Sequence, residues 1–355
     1  TDTDGTGTGL NPFIHFADGN IYVATDSNIS DRRHWTLSNS DFDNLEDYQL
    51  YSGKQKFGAL KVSIGAGLYR YDINNDRPTN ATKADEFKMN DGAMAVGTLS
   101  GKYLSNPIAV TIAKNRAKDE QKPSTLIAGQ ISVPDMIGGD NGIRVEFMRE
   151  KLSGSVIPAG DTQDIIFESE SNTLSILNTR EQGRYVGMIY KSSSLPVTLT
   201  GHALDESFAV YDPALETHTL SLAVGISNNQ YLARYIGDHA GGFIDGFGFL
   251  GLEKHYLSSS AKSELDTANR GKDTSDEVGL AFGLELKVGY AGQLRFKSLD
   301  GTGASIEGGI NLRYEKHMSH SSTEDKESIE SGEYVIELER SIFAYGPYIN
   351  LSIVY

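Results

Sequence analysis

The residues best suited to chemistry in this sequence are a histidine and a serine two positions apart, His317 and Ser319. On a β-strand, residues two apart project to the same face, so the His317 imidazole can serve as a general base for the Ser319 hydroxyl. The segment continues as His320-Ser321-Ser322-Thr323. The alternative interpretation is therefore a polar loop that happens to be rich in serine and histidine.

Two other polar motifs match the spacing of a catalytic pair or of a metal site less well. Asp238 precedes His239 directly, whereas an Asp-x-His spacing is the usual arrangement in a catalytic pair. The acidic cluster at residues 41–47 lacks the spaced Asp-x-Asp-x-Asp-Gly loop of a calcium site. Because the chain has no cysteine, it has no thiol nucleophile, zinc-thiolate site or disulfide. We predict no metal, no cofactor and no enzymatic activity, with hydrolysis by His317 and Ser319 as the alternative.

Charged residues also occur inside segments that alternate strictly between apolar and other residues. In residues 279–290 one parity is entirely apolar, while the other holds Glu285 and Lys287 among Ala and Gly. Residues 305–315 repeat the pattern, with Glu307 and Arg313 on the second parity. A period of two indicates β-strands with one apolar face. These four residues and Arg295 are predicted to face a common interior.

The composition of the second face indicates what lies on that side of the strands. It is mostly Gly, Ala, Ser and Asn with isolated charges, in at least seven segments of the chain. A soluble sandwich strand turns a charged face to bulk water, whereas small residues with a few charges are typical of a barrel lumen. The sequence contains no run of 18 or more apolar residues, so it predicts no transmembrane helix. The sequence therefore predicts an all-β transmembrane antiparallel β-barrel, with a soluble β-sandwich or repeat protein as the alternative.

The connections between these segments fall into two length classes. Short turns are predicted at residues 179–183, 237–242 and 298–303, and long polar loops at residues 71–89, 114–124, 151–164, 258–277 and 318–332. This order predicts short periplasmic turns and long extracellular loops. We expect about 14 strands, with 12 to 16 tenable, in a single domain over residues 1–355. Residues 1–9 are expected to form a flexible tail. Residues 277–299 are more than one membrane-spanning strand needs, so either the barrel wall extends beyond the bilayer or a turn lies at residues 290–292.

The last strand resembles a known assembly signal. Tyr345, Ile349, Leu351, Ile353 and terminal Tyr355 share one parity, and the chain is similar in this respect to Gram-negative outer-membrane β-barrel proteins. The resemblance implies recognition by the barrel-assembly machinery and location in the cell outer membrane, beside lipopolysaccharide and other outer-membrane lipid. It identifies no specific family within that porin-like class.

Two weaker resemblances bear on function. Residues 134–140 (PDMIGGD) resemble the Pro-Glu-Phe-Gly-Gly-Asp stretch of the constriction loop of general porins, with three differences. The alternative is an ordinary Gly-rich loop. The His317-x-Ser319 pair resembles the catalytic pair of some outer-membrane lipid hydrolases.

The net charge of −16 argues against nucleic acid as a partner, because phosphate binding needs clustered Lys and Arg. We predict a channel, or porin, for passive diffusion of small hydrophilic solutes. The alternatives are the lipid hydrolase and a structural or secretion-associated barrel that displays binding loops. The solute, the oligomeric state and an open or plugged lumen are left undecided by the sequence.

Overall fold

The structure, a computed structural model, describes part of the chain. The described residues are 14–17, 20–24, 35–37, 60–75, 86–90, 92–103, 106–116, 121–138, 141–157, 165–180, 183–201, 207–227, 241–259, 278–294, 303–318, 334–336 and 340–354. They divide into two compact units, Thr1–Gly58 and Ala59–Tyr355. In the first unit, β1 (Ile14–Ala17), β2 (Asn20–Ala24) and β3 (Trp35–Leu37) form an antiparallel sheet. The predicted single domain over 1–355 stays a prediction, and the predicted tail lies outside the described residues.

The second unit is a closed antiparallel barrel of twelve strands. The barrel strands, in order around the ring, are β4 (Lys61–Asn75), β6 (Gly92–Tyr103), β7 (Asn106–Asn115), β8 (Thr125–Gly138), β9 (Asn141–Ile157), β10 (Ile165–Arg180), β11 (Arg184–Gly201), β12 (Ser207–Ser227), β13 (Gly241–Leu257), β14 (Val278–Leu294), β15 (Gly303–Met318) and β17 (Arg340–Val354). Two short strands pair outside the ring: β5 (Glu86–Met89) with β9, and β16 (Tyr334–Ile336) with β11.

The last strand closes the barrel by pairing with the first. In this ladder Leu351 lies opposite Ile64, and Ile353 lies opposite Val62. Closure removes the free sheet edges that a membrane cannot solvate. The prediction of an all-β barrel is confirmed, and the total of fourteen strands in the sheet, twelve of them in the ring, lies within the predicted range. Because β14 runs unbroken through residues 290–292, there is no turn there.

The connections follow the two predicted classes only in part, and we name the two ends of the barrel the turn end and the loop end. The short turn predicted at residues 237–242 was wrong, because 13 residues (228–240) separate β12 from β13 at the turn end and Gly241 already begins β13. At the turn end, β8 meets β9 across residues 139–140, and β10 meets β11 across 181–183, where Gly183 has a φ of 71°. At the loop end, 20 residues separate β13 from β14. Two predicted loops were too long, since β4 continues to Asn75 and β9 to Ile157. The reason is that backbone hydrogen bonding continues beyond the apolar part of each strand.

The porin-like segment also differs from the expectation. Residues 134–138 continue β8, and Gly138 pairs with Asn141 at the turn end. The segment is thus part of a tight hairpin and not a loop folded into the lumen. Its resemblance to a constriction loop was wrong because a Gly-rich stretch serves equally well in a tight hairpin connection.

The outer surface is an apolar belt, as the alternation predicted. Leu222 and Val224 on β12 are each 67% exposed, whereas their chain neighbours Ser221 and Ala223 are buried. Exposed tyrosines lie towards both ends, with Tyr256 near the loop end and Tyr290 near the turn end. An apolar exterior with aromatic rings at its borders matches a barrel embedded in lipid. Within the described residues, no helix has the length and apolar character needed to span a membrane.

Candidate functional site

The barrel lumen is the candidate site, because buried polar and charged side chains from most strands converge there. Glu285 and Lys287 on β14 lie at the inward parity, as do Glu307 and Arg313 on β15. Arg295 lies outside the described residues.

Arg313 joins opposite walls of the lumen. Its Nη1 lies 3.0 Å from Oε2 of Glu150 on β9, six strands away around the ring. The Tyr71 hydroxyl donates to the other Glu150 oxygen at 2.8 Å, from β4. Since each group comes from a different wall, together they form a bridge across the lumen.

A second carboxylate, Glu315, contacts two cations and an imidazole beside this bridge. Arg313 Nη2 lies 2.7 Å from Glu315 Oε1, and Lys191 of β11 contacts Oε2 of the same carboxylate. His317 Nε2 is 3.5 Å from Glu315 Oε2. Removing one partner of such a buried ion pair strongly destabilises the protein, because the other charge is left buried without a partner. The intact pairs therefore hold the strands in a fixed arrangement.

An acid-histidine cluster lies nearer the loop end. Glu253 Oε2 accepts a 2.6 Å hydrogen bond from His317 Nδ1, and its Oε1 is 3.2 Å from His255 Nε2. His255 Nδ1 is within 3.1 Å of the Thr217 hydroxyl, to which Arg340 donates at 3.2 Å. His255 is fully buried. The carboxylate therefore fixes the orientation of the His317 imidazole. Among the described residues, no group of three or more His, Cys, Asp or Glu side chains is placed to hold a metal ion.

A separate group of charged and aromatic side chains lies nearer the turn end. Lys287 Nζ is 2.7 Å from Glu307 Oε1, which also accepts a hydrogen bond from the Tyr348 hydroxyl at 2.9 Å. The same ammonium lies 4.7 Å from the centre of the Tyr348 ring and 5.4 Å from that of Phe243. Lys287 is thus held against one wall by a carboxylate and two aromatic faces.

The described residues enclose two cavities in the lumen around these bridges. The larger, which we call the β4-side cavity, has an empty volume of about 1270 Å³ and runs along β4 from Lys61 to Tyr71. The smaller, the β11-side cavity, has about 590 Å³ and is lined by Lys191, Glu315 and His317 among others. Arg313, Glu285, Met148 and Phe247 line both. The two spaces therefore meet at the cross-lumen bridge.

Apolar clusters limit each cavity from one side. Tyr71, Met89, Phe167 and Ala344 pack together at the loop end of the β4-side cavity. Met89 belongs to a segment that we call the cap segment, residues 86–90, which pairs with β9. Leu177, Tyr185, Ile189, Ala223 and Phe247 pack on the other half of the barrel, with Tyr185 donating to the Gly246 carbonyl at 2.8 Å. Among the described residues, these clusters narrow the lumen at both ends and leave the two cavities between them.

The cap segment is fixed by a polar network around Asn90. The Asn90 side chain donates to the Lys122 carbonyl at 2.8 Å, and the Asn90 carbonyl accepts from the Asn115 side chain at 2.7 Å. Its backbone N–H donates to the Ser153 carbonyl, also at 2.8 Å. These contacts tie the cap segment to β7, β9 and the connection before β8.

The other residues singled out from the sequence fall into three groups. His317 is in the lumen and buried, but Ser319 lies outside the described residues, so their geometry as a pair stays a prediction. Tyr345, Ile349, Leu351 and Ile353 lie on the outward parity of β17, and Tyr355 lies outside the described residues. Asp238, His239 and the 41–47 cluster also lie outside them.

Sequence reasoning missed Glu150, Lys191, Glu253, His255 and Arg340. Each follows the inward parity of its strand, so extending the alternation past the apolar stretch would have found them.

A closed twelve-strand antiparallel barrel with an apolar exterior and a polar, charged lumen defines the class of outer-membrane β-barrels. No family model matches the sequence. No curated protein matches it either.

Three solved barrels align loosely with this structure. LpxR from Salmonella typhimurium has 10% identity and a TM-score of 0.27, covering 84% of this chain and 99% of its own. The β domain of the Bordetella autotransporter BrkA has 9% identity and a TM-score of 0.26, covering 82% and 99%. The CymD monoaromatic hydrocarbon channel has 10% identity and a TM-score of 0.27, covering 87% and 91%. With TM-scores this low, they decide nothing about function.

Proposed function

We propose that the protein is an outer-membrane channel through which small hydrophilic solutes diffuse passively. The observation that carries this proposal is the pair of lumen cavities that meet at Arg313. The proposed path enters at the turn end beside Lys61 and Ser352, and follows the β4-side cavity. It then passes Arg313 into the β11-side cavity.

The length of the larger cavity supports a transmembrane path. From Lys61 to Tyr71 a strand advances roughly 33 Å at about 3.3 Å per residue, and strands in such barrels tilt by about 40°. The cavity therefore covers most of a bilayer core of about 30 Å. Its wall includes Ser63, Thr98 and Asn350, which suit a hydrated solute.

The charges of the path predict weak selectivity. The inward-facing described side chains comprise six cations and seven carboxylates: Lys61, Arg144, Lys191, Lys287, Arg313, Arg340, Glu146, Glu150, Asp245, Glu253, Glu285, Glu307 and Glu315. The net charge of these inward-facing side chains is therefore a single negative charge, and most of the charged groups lie in ion pairs. We therefore expect a narrow channel with a slight preference for cations.

Planar bilayers containing the purified protein test this proposal. Stepwise conductance that is small for a barrel of this size is the expected result, because bridges cross the lumen. Absence of any stepwise conductance, from wild type and from the Arg313→Gln variant alike, would reject a channel.

A second candidate, the lipid hydrolase, is favoured by the Glu253 and His317 geometry. A carboxylate at 2.6 Å from Nδ1 orients the ring and leaves Nε2 as the base, as in acid-histidine-serine hydrolases. Against it, Nε2 lies 3.5 Å from a second carboxylate, that of Glu315. The nucleophile would be Ser319, at the next position of the same parity.

Release of acyl chains from outer-membrane lipids by purified protein tests the hydrolase. Under this candidate, Ser319→Ala and His317→Asn both abolish release, while the neighbouring Ser321→Ala keeps it. A wild-type protein that releases no acyl chain, or a Ser319→Ala variant with full activity, refutes it.

We propose that the protein resides in the outer membrane with the loop end outside. We also propose that the barrel-assembly machinery recognises the alternating apolar and aromatic residues of β17. The structural or secretion-associated role is the third alternative. A copurifying partner protein together with a lumen that never conducts would favour it, and a homo-oligomer is compatible with all three.

A further inference from the structure

The outer wall near the loop end carries a concentration of basic side chains on β7, on β9 and in the connection between β7 and β8. We call it the basic rim; its members are the exposed residues Lys114, Arg116, Lys122 and Arg149 and the half-buried Lys151. The concentration is notable because the chain as a whole carries a net charge of −16.

Two carboxylates on β10 meet this rim. Arg149 Nη2 lies 2.7 Å and Lys151 Nζ 3.3 Å from the Glu170 carboxylate, while Lys122 contacts Glu168. Five cations against two carboxylates leave a local charge of +3 among the described residues. Glu170 draws two cations together without neutralising both.

The rim lies directly beyond the apolar belt. Arg149 is two residues past Phe147, which is 47% exposed, and Lys114 is two residues past Ile112, which is 56% exposed. Lys114 and Lys151 lie in one row, because both pair with Thr125 of β8 between them. Their backbones are thus about 10 Å apart, two interstrand spacings of about 4.8 Å.

We propose that the basic rim binds the phosphorylated headgroup of an outer-leaflet lipid. A lipid whose chains lie against Ile112, Ile127 and Phe147 brings its phosphates to the level of Lys114, Arg149 and Lys151. Arg forms bidentate hydrogen bonds with phosphate, and Lys adds charge. The proposal shares with the proposed function only the outward orientation of the loop end, so it stands or falls independently of conductance.

Binding of lipid A with both phosphates to the purified protein tests this, measured in neutral-lipid nanodiscs with chelator present to exclude bridging by divalent ions. The rim variant Lys114→Gln/Arg149→Gln/Lys151→Gln is expected to bind roughly a hundredfold more weakly, at about a factor of five per cation near a charged surface. The matched control, Lys254→Gln/Lys316→Gln, removes outward cations from β13 and β15 and is expected to bind as wild type does.

Two further measurements do not depend on the folding of the rim variant. Glu170→Gln is expected to bind several-fold more tightly, because it releases Arg149 and Lys151 to the phosphate. Dephosphorylated lipid A is expected to bind wild type as weakly as the intact lipid binds the rim variant. Equal binding of both lipids to wild type, weaker binding by Glu170→Gln, or full displacement of lipid by equimolar inorganic phosphate would overturn it.

Discussion

Arg313 Nη1 and Glu150 Oε2 lie 3.0 Å apart although their strands are opposite each other in the ring. Five strands separate β15 from β9 on either side, so the pair fixes the width of the lumen. Tyr71, Glu315 and Lys191 extend the bridge to two further strands. This relationship makes the lumen a divided space, with one cavity on each side.

Removing the Arg313 guanidinium should destabilise the barrel and widen the junction of the cavities. Arg313→Gln leaves Glu150 and Glu315 without their shared cation, and loss of one buried partner costs about 3–5 kcal/mol. We expect a lower thermal unfolding midpoint in detergent and a larger single-channel conductance. The control is Arg149→Gln, whose exposed ion pair contributes about 0–1 kcal/mol. Equal stability of the two variants would contradict the bridge.

The apolar belt predicts a depth-dependent penalty for charge. Leu222 is 67% exposed and lies between the outward residues Met188 and Leu250. Leu222→Arg should cost about 2–4 kcal/mol of folding free energy in a bilayer, as expected near its midplane. Glu216→Arg, on the same face of β12 but near the loop end, should cost about 0–1 kcal/mol. Reversible folding into vesicles measures both, and equal small costs would argue that lipid does not contact β12.

The lumen packing at Gly225 predicts sensitivity to a single methyl group. A Cβ at this position would lie 2.2 Å from the Tyr185 ring and 2.6 Å from the Gly246 carbonyl oxygen. Gly225→Ala should therefore lower stability by about 1–3 kcal/mol and weaken the Tyr185 hydrogen bond to Gly246. Gly97→Ala, where a Cβ meets nothing within 4 Å, should be close to neutral. Heat-dependent gel mobility compares them; an unaffected Gly225→Ala barrel would show that Tyr185 packs elsewhere.

The cap segment should loosen when Asn90 loses its side chain. Asn90→Ala removes the hydrogen bond to the Lys122 carbonyl, at a net cost of about 1 kcal/mol. We expect faster amide exchange over residues 86–90 and an unchanged rate in β14. Lys122→Ala keeps the carbonyl and should leave the exchange of the cap segment as in wild type. Unchanged exchange in Asn90→Ala would mean that β5 pairing alone holds the segment.

The sequence was sufficient for much of the fold because a two-residue period maps directly onto the two faces of a strand. The outward positions of Leu280, Phe282 and Tyr290, and the inward parity of Glu285 and Lys287, follow from that period alone. Strand ends were harder to predict, since β9 continues to Ile157 through polar residues.

The bridges across the lumen could not be predicted from the sequence. Arg313 and Glu150 are 163 residues apart, and parity indicates only that both face inward. Which inward residues meet depends on the strand number and the stagger of the ring, which set the height of each side chain. The cap segment was missed for a similar reason, because residues 86–89 read as part of a polar loop but pair with β9.

The most direct test of the proposed path compares two neighbouring tryptophan substitutions in single-channel recordings. Thr98 lines the β4-side cavity, whereas Leu99 is 50% exposed on the outer wall. If solutes pass through this cavity, Thr98→Trp blocks or sharply reduces the conductance of wild type, and Leu99→Trp leaves it unchanged. Equal conductance of the two variants and wild type would contradict the path.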